Sequence, residues 1–351
     1  MKHITTLLAL GVLLLGVNMT QALENTGEDI GVSEGFNPLQ KCDANGVAND
    51  DGPHWAQVYG AQKKWDANPG HQIQGYAFPV ATENPKAYAE ICGAIRGIGY
   101  SYIRGIIFAA DLGDPENTAA AEESLRVSIK LGLENGVTKF FTICEGWPAQ
   151  NTGRDFDTVV LPTAAKTLTK ILLEFPEVEE FGIEFLISAE QENMNSLAKC
   201  RRLVNSVHTS LGKTGETTRR MFVVPDSAHL YGLVDKAYWG DLTQQLADAC
   251  ERGEVSYIHV SVPETRSDRI LDAAEDGSLP LAGFIGAVKN SSRPITWALE
   301  YFNQQSPALE ALRAPDGVKR FRWRENSGWT DGKRFERANA AAIAVEKMFA
   351  E

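Results

Sequence analysis

Short apolar runs alternate with amphipathic stretches of helical length along most of this 351-residue chain. The apolar runs are rich in Val, Ile, Phe and Leu and have the length of a single strand. They predict strands at 72–79, 101–108, 137–144, 181–187, 220–226, 255–261 and 295–302. Between them lie helical patterns, such as the one over 193–211 that ends at Gly212. This alternation predicts a parallel sheet that is covered by helices.

Eight strand and helix units in succession would close such a sheet into a barrel. We therefore expect an α/β protein with one (β/α)8 TIM-barrel domain, and the missing strand would come from 55–60 or from 319–323. An open, doubly wound sheet is the alternative. The sequence has neither the GxGxxG nor the GxxxxGK[ST] motif at a strand-to-helix turn, so it gives no support to nucleotide binding.

The first 70 residues do not follow the strand and helix pattern. Lys2, the apolar run Leu7 to Val17 and the small-residue motif Thr20-Gln21-Ala22 have the order of a secretory signal peptide. We expect residues 1–22 to be a cleaved leader, with an uncleaved membrane anchor as the alternative. Residues 23–70 would then be an irregular N-terminal arm and 71–351 the barrel. This organisation predicts an exported protein, periplasmic or secreted, with no membrane segment after cleavage.

The net charge narrows the classes of binding partner, and the spacing of the cysteines indicates their role in the fold. The chain has a net charge of −12, which repels phosphate backbones and anionic lipid and therefore disfavours nucleic acid and membrane surfaces as partners. Its five cysteines are scattered without any close pair. Cys144, Cys200 and Cys250 lie in apolar patterns, so we expect them to be small buried residues. The sequence leaves the oligomeric state open, with a dimer or a tetramer among the possibilities.

Four predicted strands each carry a carboxylate or an imidazole near the end of an apolar run: Glu184, Asp226, His259 and Glu300. Because the C-terminal ends of parallel barrel strands face one mouth, we expect these side chains to converge. Three carboxylates and one imidazole are a ligand set that favours Mn²⁺, with Co²⁺ or Mg²⁺ as alternatives. Zinc sites are more often sulfur-rich or built from three imidazoles. Taken singly, Asp226 could instead be a helix N-cap and His259 a core histidine.

A second polar residue follows three of these four positions: Glu190 six after Glu184, His229 three after Asp226, and Arg266 seven after His259. With Glu300 on the last of these strands, this order resembles the D-tagatose 3-epimerase branch of the xylose isomerase-like TIM barrels, a group of sugar isomerases and epimerases. The resemblance covers roughly residues 72 to 302.

The resemblance implies a role for each of these residues. Glu184, Asp226, His259 and Glu300 would hold the metal ion. Glu184 and Glu300 would also form the acid/base pair on opposite faces of the substrate. The remaining residues, Glu190, His229 and Arg266, would bind the substrate's terminal oxygens, and Trp147 is a candidate to stack on a sugar face.

The activity implied by the resemblance is a metal-dependent epimerase or isomerase that acts on a keto-sugar or related carbohydrate by proton transfer through an enediolate. One alternative is a lyase acting on 3-keto-glycosides, because the same enediolate would expel a leaving group on the next carbon. Another alternative is a non-catalytic sugar-binding barrel. In each case the expected partner is a small carbohydrate.

Overall fold

A computed structural model of the chain describes residues 104–107, 111–145, 152–186, 191–216, 218–232, 234–261 and 279–302, with shorter segments at 16–23, 33–35, 41–42, 48–49, 72–73, 89, 92–93, 309–313, 319–323, 344–345 and 347–350. The strands are β1 Gly16–Leu23, β2 Ser33–Gly35, β3 Lys41–Cys42, β4 Ala48–Asn49, β5 Gln72–Ile73, β6 Arg104–Ile107, β7 Lys139–Ile143, β8 Glu180–Glu184, β9 Met221–Val224, β10 Tyr257–Val260, β11 Ile295–Phe302, β12 Leu309–Arg313 and β13 Lys319–Trp323. The helices are α1 Thr118–Glu134, α2 Leu161–Glu174, α3 Leu197–Gly212, α4 Ser227–Tyr231, α5 Trp239–Glu251 and α6 Leu281–Lys289, and single turns of π-helix and 3₁₀ helix cover Phe156–Val160 and Lys236–Tyr238.

Strands β6 to β11 lie side by side in chain order, and all of them are parallel. β6, β7, β8 and β9 form one hydrogen-bonded sheet. Parallel bridges from Val223 to Val255 and from Asp226 to His259 join β9 to β10, which in turn pairs with β11. Successive parallel strands joined by helices are the arrangement of a TIM barrel. The six strands predicted from 101 to 302 are confirmed, with small differences at their ends.

The helices between these strands have apolar faces and defined ends. In α3 the buried residues recur at helical spacing, and the side chain of Ser196 accepts a hydrogen bond from the backbone N–H of Lys199 as an N-cap. This confirms the helix predicted over 193–211. α1 and α5 are each followed by a glycine with positive φ, Gly136 and Gly253, which turns the chain back toward the next strand.

Side chains of the central strands alternate between two apolar layers. One face packs against the helices and includes Phe140, Ile183 and Val223. The opposite face carries Phe141, whose ring contacts those of Tyr257 and His259 at centroid distances of 5.5 and 5.2 Å. Gly182 lies on this inner face, where a Cβ atom would come within 2.4 Å of Val224. The inner layer is therefore packed too closely for any side chain at this position.

Strand β1 pairs antiparallel with β11 and places Asn18 opposite Glu300. It also pairs with β2 and with β5, which is the described part of the predicted strand 72–79. Because β1 lies mostly within the predicted leader, cleavage after Ala22 would remove nearly all of it. The leader, the N-terminal arm and the domain boundaries remain predictions.

The two candidates for an eighth barrel strand have different outcomes. Residues 319–323 form a strand, but its described pairing is antiparallel with β12 in a separate two-stranded sheet. Residues 55–60 lie outside the described part of the chain.

Burial of the cysteines agrees with the sequence-based expectation. Cys92, Cys144, Cys200 and Cys250 are free thiols, and all of them are buried. Among the helices that the structure describes, none combines the length and the apolar character that crossing a membrane requires.

Candidate metal centre

Glu184, Asp226 and His259 meet at the C-terminal ends of three neighbouring strands. Glu184 is the last residue of β8, Asp226 follows β9, and His259 lies in β10. Ligand atoms from the two carboxylates and the imidazole all lie within 4.8 Å of one another. All three residues are buried, and Asp226 and His259 have no exposed surface. The parallel strand order thus brings together residues that are 75 positions apart in the chain.

Two imidazoles surround the carboxylate of Glu184. The Nδ1 atom of His259 lies 3.0 Å from Glu184 Oε1, and that of His229 lies 3.5 Å from the same oxygen. Burial raises the pKa of Glu184, but the charge of His259 and hydrogen bonds from both histidines outweigh it and lower the pKa to about 2. The histidines therefore favour the ionised form of Glu184, which is buried beside them.

Asp226 is both a helix cap and a member of the buried cluster. Its Oδ1 atom accepts a hydrogen bond of 2.9 Å from the backbone N–H of His229, which caps α4. The hydroxyl of Ser261 lies 2.7 Å from each of its carboxylate oxygens. The Ser227 hydroxyl in turn bonds to the backbone of Ser261. The two interpretations of Asp226 are thus compatible, because capping orients a carboxylate that still reaches His259 and Glu184.

The ring of His259 is held by aromatic neighbours on the inner face of the sheet. Phe141 and Tyr257 both contact it edge-on, with centroid distances of 5.2 and 5.0 Å. Its backbone N–H donates to the carbonyl of Pro225 at 2.9 Å, which fixes the strand next to Asp226. These contacts leave the imidazole little freedom of orientation, as a ligand position requires.

The donor set fits a divalent cation. Two buried carboxylates within 4.8 Å of each other and of an imidazole are unfavourable unless positive charge compensates them. In the described part of the chain, the ion pairs of Glu184 and Asp226 are with histidines, not with Lys or Arg. Oxygen and imidazole donors suit Mn²⁺, Co²⁺ or Mg²⁺. Glu184, Asp226 and His259 therefore form a possible metal site.

The other predicted site residues are described less fully. His229 lies beside Glu184, as given above. The backbone of Glu300 belongs to β11, two residues after Ala298, which pairs with His259. The side chain of Glu300, and all of Trp147, Glu190 and Arg266, lie outside the described residues.

Sequence reasoning missed the serines beside Asp226 and a buried glutamate in the loop after β7. Ser261 could have been found by strand alternation, since Tyr257, His259 and Ser261 are two residues apart and share a face. Glu145 is a charged residue directly after an apolar strand, the same signal that identified Glu184. It is 6% exposed.

Comparison with solved structures finds sugar epimerases and a xylose isomerase domain protein that share the fold of this chain. The chain is similar to the apo form of a 3-keto-D-glucoside 4-epimerase from E. coli, with a TM-score of 0.54 and 14% identity over 90% of this chain and 98% of the other. It is also similar to a D-psicose 3-epimerase with D-tagatose from Clostridium cellulolyticum, with a TM-score of 0.56 and 14% identity over 86% and 94% of the two chains.

A third similar structure is a xylose isomerase domain protein from Alicyclobacillus acidocaldarius, with a TM-score of 0.50 and 14% identity over 89% of this chain and 98% of the other. No protein-family model and no curated protein sequence matches the chain. At these identities the likeness is one of fold, and it confirms the TIM-barrel prediction.

Proposed function

We propose that this protein is a divalent-metal-dependent epimerase or isomerase that acts on a keto-sugar or a related carbohydrate. The observation that carries the proposal is the buried cluster of Glu184, Asp226 and His259 at the C-terminal ends of the strands, where TIM barrels hold their active sites. A carboxylate must be ionised to accept a proton, and the neighbouring histidines favour that form of Glu184.

Glu184, Asp226 and His259 would hold the metal, with Glu300 on the adjacent strand as the fourth ligand in our proposal. When bound, a divalent cation of the Mn²⁺ type supplies polarisation of a substrate carbonyl and so acidifies the neighbouring C–H bond. The two carboxylates and the imidazole match the donors that Mn²⁺, Co²⁺ and Mg²⁺ accept, and we favour Mn²⁺.

The protein's own residues would move the proton. Glu184 would take it from the carbon next to the carbonyl, which leaves an enediolate, and Glu300 would return a proton from the opposite face. His229, with its Nδ1 atom 3.5 Å from Glu184, would bind a terminal oxygen of the substrate. Glu190, Arg266 and Trp147 would contact the rest of the sugar.

The names of similar structures support this class of substrate. One is an epimerase of 3-keto-D-glucoside and another an epimerase of D-psicose, so both act on sugars that contain a ketone. Both share the fold of this chain over most of its length. A keto-sugar is therefore the substrate class that we propose, as a free sugar or as a glycoside.

The proposal is tested by solvent exchange. Purified protein with added Mn²⁺ is incubated in D₂O with a panel of keto-sugars and 3-keto-glycosides, and the products are followed by NMR. We expect deuterium at the carbon next to the carbonyl of an epimerised or isomerised product. Turnover without solvent deuterium would indicate hydride transfer, and release of the aglycone would indicate the lyase. Sugar binding without any exchange would mean a non-catalytic barrel.

We also propose that the protein is exported, on the basis of Lys2, the apolar run Leu7 to Val17 and Thr20-Gln21-Ala22. The N-terminus of the protein isolated from its native host should then lie near Leu23. Met1 as the main N-terminus would contradict export by this leader.

A further inference from the structure

A buried carboxylate joins the loop after β7 to the loop after β8. Glu145, two residues beyond β7, accepts hydrogen bonds of 2.8 Å at Oε2 from the backbone N–H groups of Asn193 and Met194. Its other oxygen accepts from the side-chain amide of Asn193 at 3.1 Å, and its backbone carbonyl accepts from Gln191 at 3.1 Å. The charge of Glu145 is therefore satisfied by the neighbouring loop.

The loop after β8 also contributes a carboxylate that accepts hydrogen bonds from backbone N–H groups of the loop after β7. Glu192 accepts hydrogen bonds of 2.8 Å from the backbone N–H groups of Thr152 and Gly153 and from the Thr152 hydroxyl. Each loop thus contributes one carboxylate that binds two consecutive N–H groups of the other. We refer to Glu145 with Asn193 and Met194, and Glu192 with Thr152 and Gly153, as the reciprocal clasp.

The reciprocal clasp lies next to the candidate metal centre. Ile143 at the end of β7 pairs with Glu184 at the end of β8, and Glu145 follows two residues later. On the other loop, the carbonyl of Met194 accepts a hydrogen bond of 3.4 Å from the N–H of Leu186, two residues after Glu184. The clasp is therefore anchored directly beyond the C-terminal ends of both strands.

A third loop is joined to this pair. Arg154, next to Gly153, forms ion pairs of 2.6 Å with Asp111 and 3.3 Å with Asp114, and both aspartates follow β6. Asp111 also accepts a hydrogen bond from the N–H of Gly113, which orders its own loop. Three successive loops on the side of the metal centre are thus linked by charged side chains that bond to backbone amides or to each other.

Two of the predicted substrate contacts are next to clasp residues in the chain. Trp147 is two residues after Glu145, and Glu190 is two residues before Glu192. In a TIM barrel the loops after the strands border the active site, and pre-organised loops bind a ligand at a smaller entropic cost. Among the described residues, no hydrogen bond or ion pair of the clasp involves Glu184 or Asp226, so its effect should fall on the sugar rather than on the metal.

We propose that Glu145 and Glu192 are positioning residues, which hold the loops after β7 and β8 as one unit and thereby set the affinity for the sugar substrate. This inference rests on the proposed function. The clasp would act through neighbouring substrate contacts, without touching the reacting atoms.

The test compares Glu145→Gln and Glu192→Gln with the parent protein. Glutamine keeps the size of the side chain but replaces one acceptor oxygen with an N–H donor that faces other donors. We expect KM for the keto-sugar to rise at least about tenfold, while kcat and the Mn²⁺ midpoint stay within about threefold, the pattern of lost ground-state binding. The double variant should be little worse than either single variant, because both act on the same unit.

Matched controls separate positioning from general destabilisation. Glu254→Gln changes a buried carboxylate that binds Arg201 and Asn205 before β10, at the opposite end of the strands. Glu174→Gln changes an exposed carboxylate that binds Arg126 between two outer helices. Both should leave KM unchanged. If Glu145→Gln does not fold, Glu192→Gln carries the test, because its side chain is only partly buried.

Hydrogen exchange gives a readout that does not depend on turnover. Glu192→Gln should speed amide exchange at Asn193 and Met194 as well as at Thr152 and Gly153, if the loops form one unit. Unchanged KM in folded Glu145→Gln and Glu192→Gln, with the parent active, would overturn the positioning role alone. So would a rise in KM that is matched by equal losses in kcat or in Mn²⁺ affinity. A parent protein that turns over no keto-sugar would overturn the proposed function, and with it the role in substrate affinity.

Discussion

Strand β8 carries two buried glutamates, Glu180 at its first position and Glu184 at its last, and the two differ in how their charge is compensated. Glu180 forms ion pairs with Arg104 at 2.7 Å, Lys139 at 3.2 Å and Arg293 at 3.6 Å. In contrast, Glu184 lies beside two imidazoles. Burial raises the pKa of each glutamate, and the charged partners more than offset it, so both pKa values fall to about 2.

The difference separates a carboxylate that is part of an ion-pair network from one that we propose to be functional. Guanidinium and ammonium groups keep their charge at every physiological pH, so Glu180 is neutralised permanently within the fold. Imidazoles can lose their proton and can bind metals, so Glu184 remains available to a cation or to a proton from a substrate. The two glutamates are four residues apart on one strand, so both side chains point to the inner face. They differ in the residues that compensate their charge.

The largest expected effect is on catalysis and affects only one of the two glutamates. Glu184→Gln removes the group that we propose takes the proton, so turnover of the keto-sugar should fall by about a hundredfold to ten-thousandfold. Glu300→Gln should behave in the same way. Glu180→Gln, assayed under conditions where it is folded, should keep the parent's kcat. Full turnover in Glu184→Gln would remove that residue from the mechanism.

The next effect is on stability, where we expect the larger loss at Glu180 and not at Glu184. Glu180→Gln removes the carboxylate that pairs with Arg104 at 2.7 Å, and breaking a buried pair costs about 3 to 5 kcal/mol of unfolding free energy. Denaturant unfolding at neutral pH measures this loss. Glu174→Gln, which breaks the exposed pair with Arg126, should change stability little. An equally small change in Glu180→Gln would mean that the pair is not structural.

The ion pairs of Glu180 should also make the free energy of unfolding depend on pH in the acidic range. Because folding lowers the pKa of Glu180 from its usual 4.5 to about 2, its contribution is complete above pH 4.5 and is lost as pH falls toward 2. The contribution is about 3 kcal/mol. The stability deficit of Glu180→Gln relative to the parent should therefore shrink over this range. A deficit that is constant with pH would show that Glu180 titrates normally in the folded protein.

A smaller effect, on the affinity for Mn²⁺, tests whether Ser261 orients the proposed metal ligand Asp226. Ser261→Ala removes the hydroxyl that lies 2.7 Å from each carboxylate oxygen of Asp226, and the loss of such a supporting hydrogen bond weakens metal binding by about tenfold to a hundredfold. Calorimetric titration of the metal-free protein with Mn²⁺ measures the change. Ser256→Ala, at another buried serine just before β10, is the matched control and should bind Mn²⁺ like the parent. Equal affinities for both variants would show that Ser261 does not orient Asp226.

Much of the fold could be predicted from the sequence, because buried parallel strands appear as short apolar runs. The same signal found Glu184 and His259, since a charged or imidazole side chain inside such a run is conspicuous. The pattern also marks Ser261 and Glu145, but it does not show which groups their side chains bind. Ser261 and Glu145 owe their roles to neighbours 35 and 48 residues away in sequence, which only the packing of the strands brings close.

Pairing of the terminal strands was also beyond prediction. The composition of 319–323 indicates a strand but not its partner, and the structure pairs it with 309–313. A strand edge can accept several neighbours with similar hydrogen bonds, so sequence pattern alone does not choose among them.

Metal binding by the parent protein and three variants tests the account most directly. Protein stripped with chelator is titrated with Mn²⁺ while its thermal unfolding is followed, and a ligand that binds only the folded state at a hundred times its Kd stabilises it by about 2.7 kcal/mol. We predict that the parent and Glu180→Gln gain stability on adding Mn²⁺, whereas Asp226→Ala and His259→Ala do not. An equal gain in all four proteins, or none in the parent, would contradict a metal centre at Glu184, Asp226 and His259.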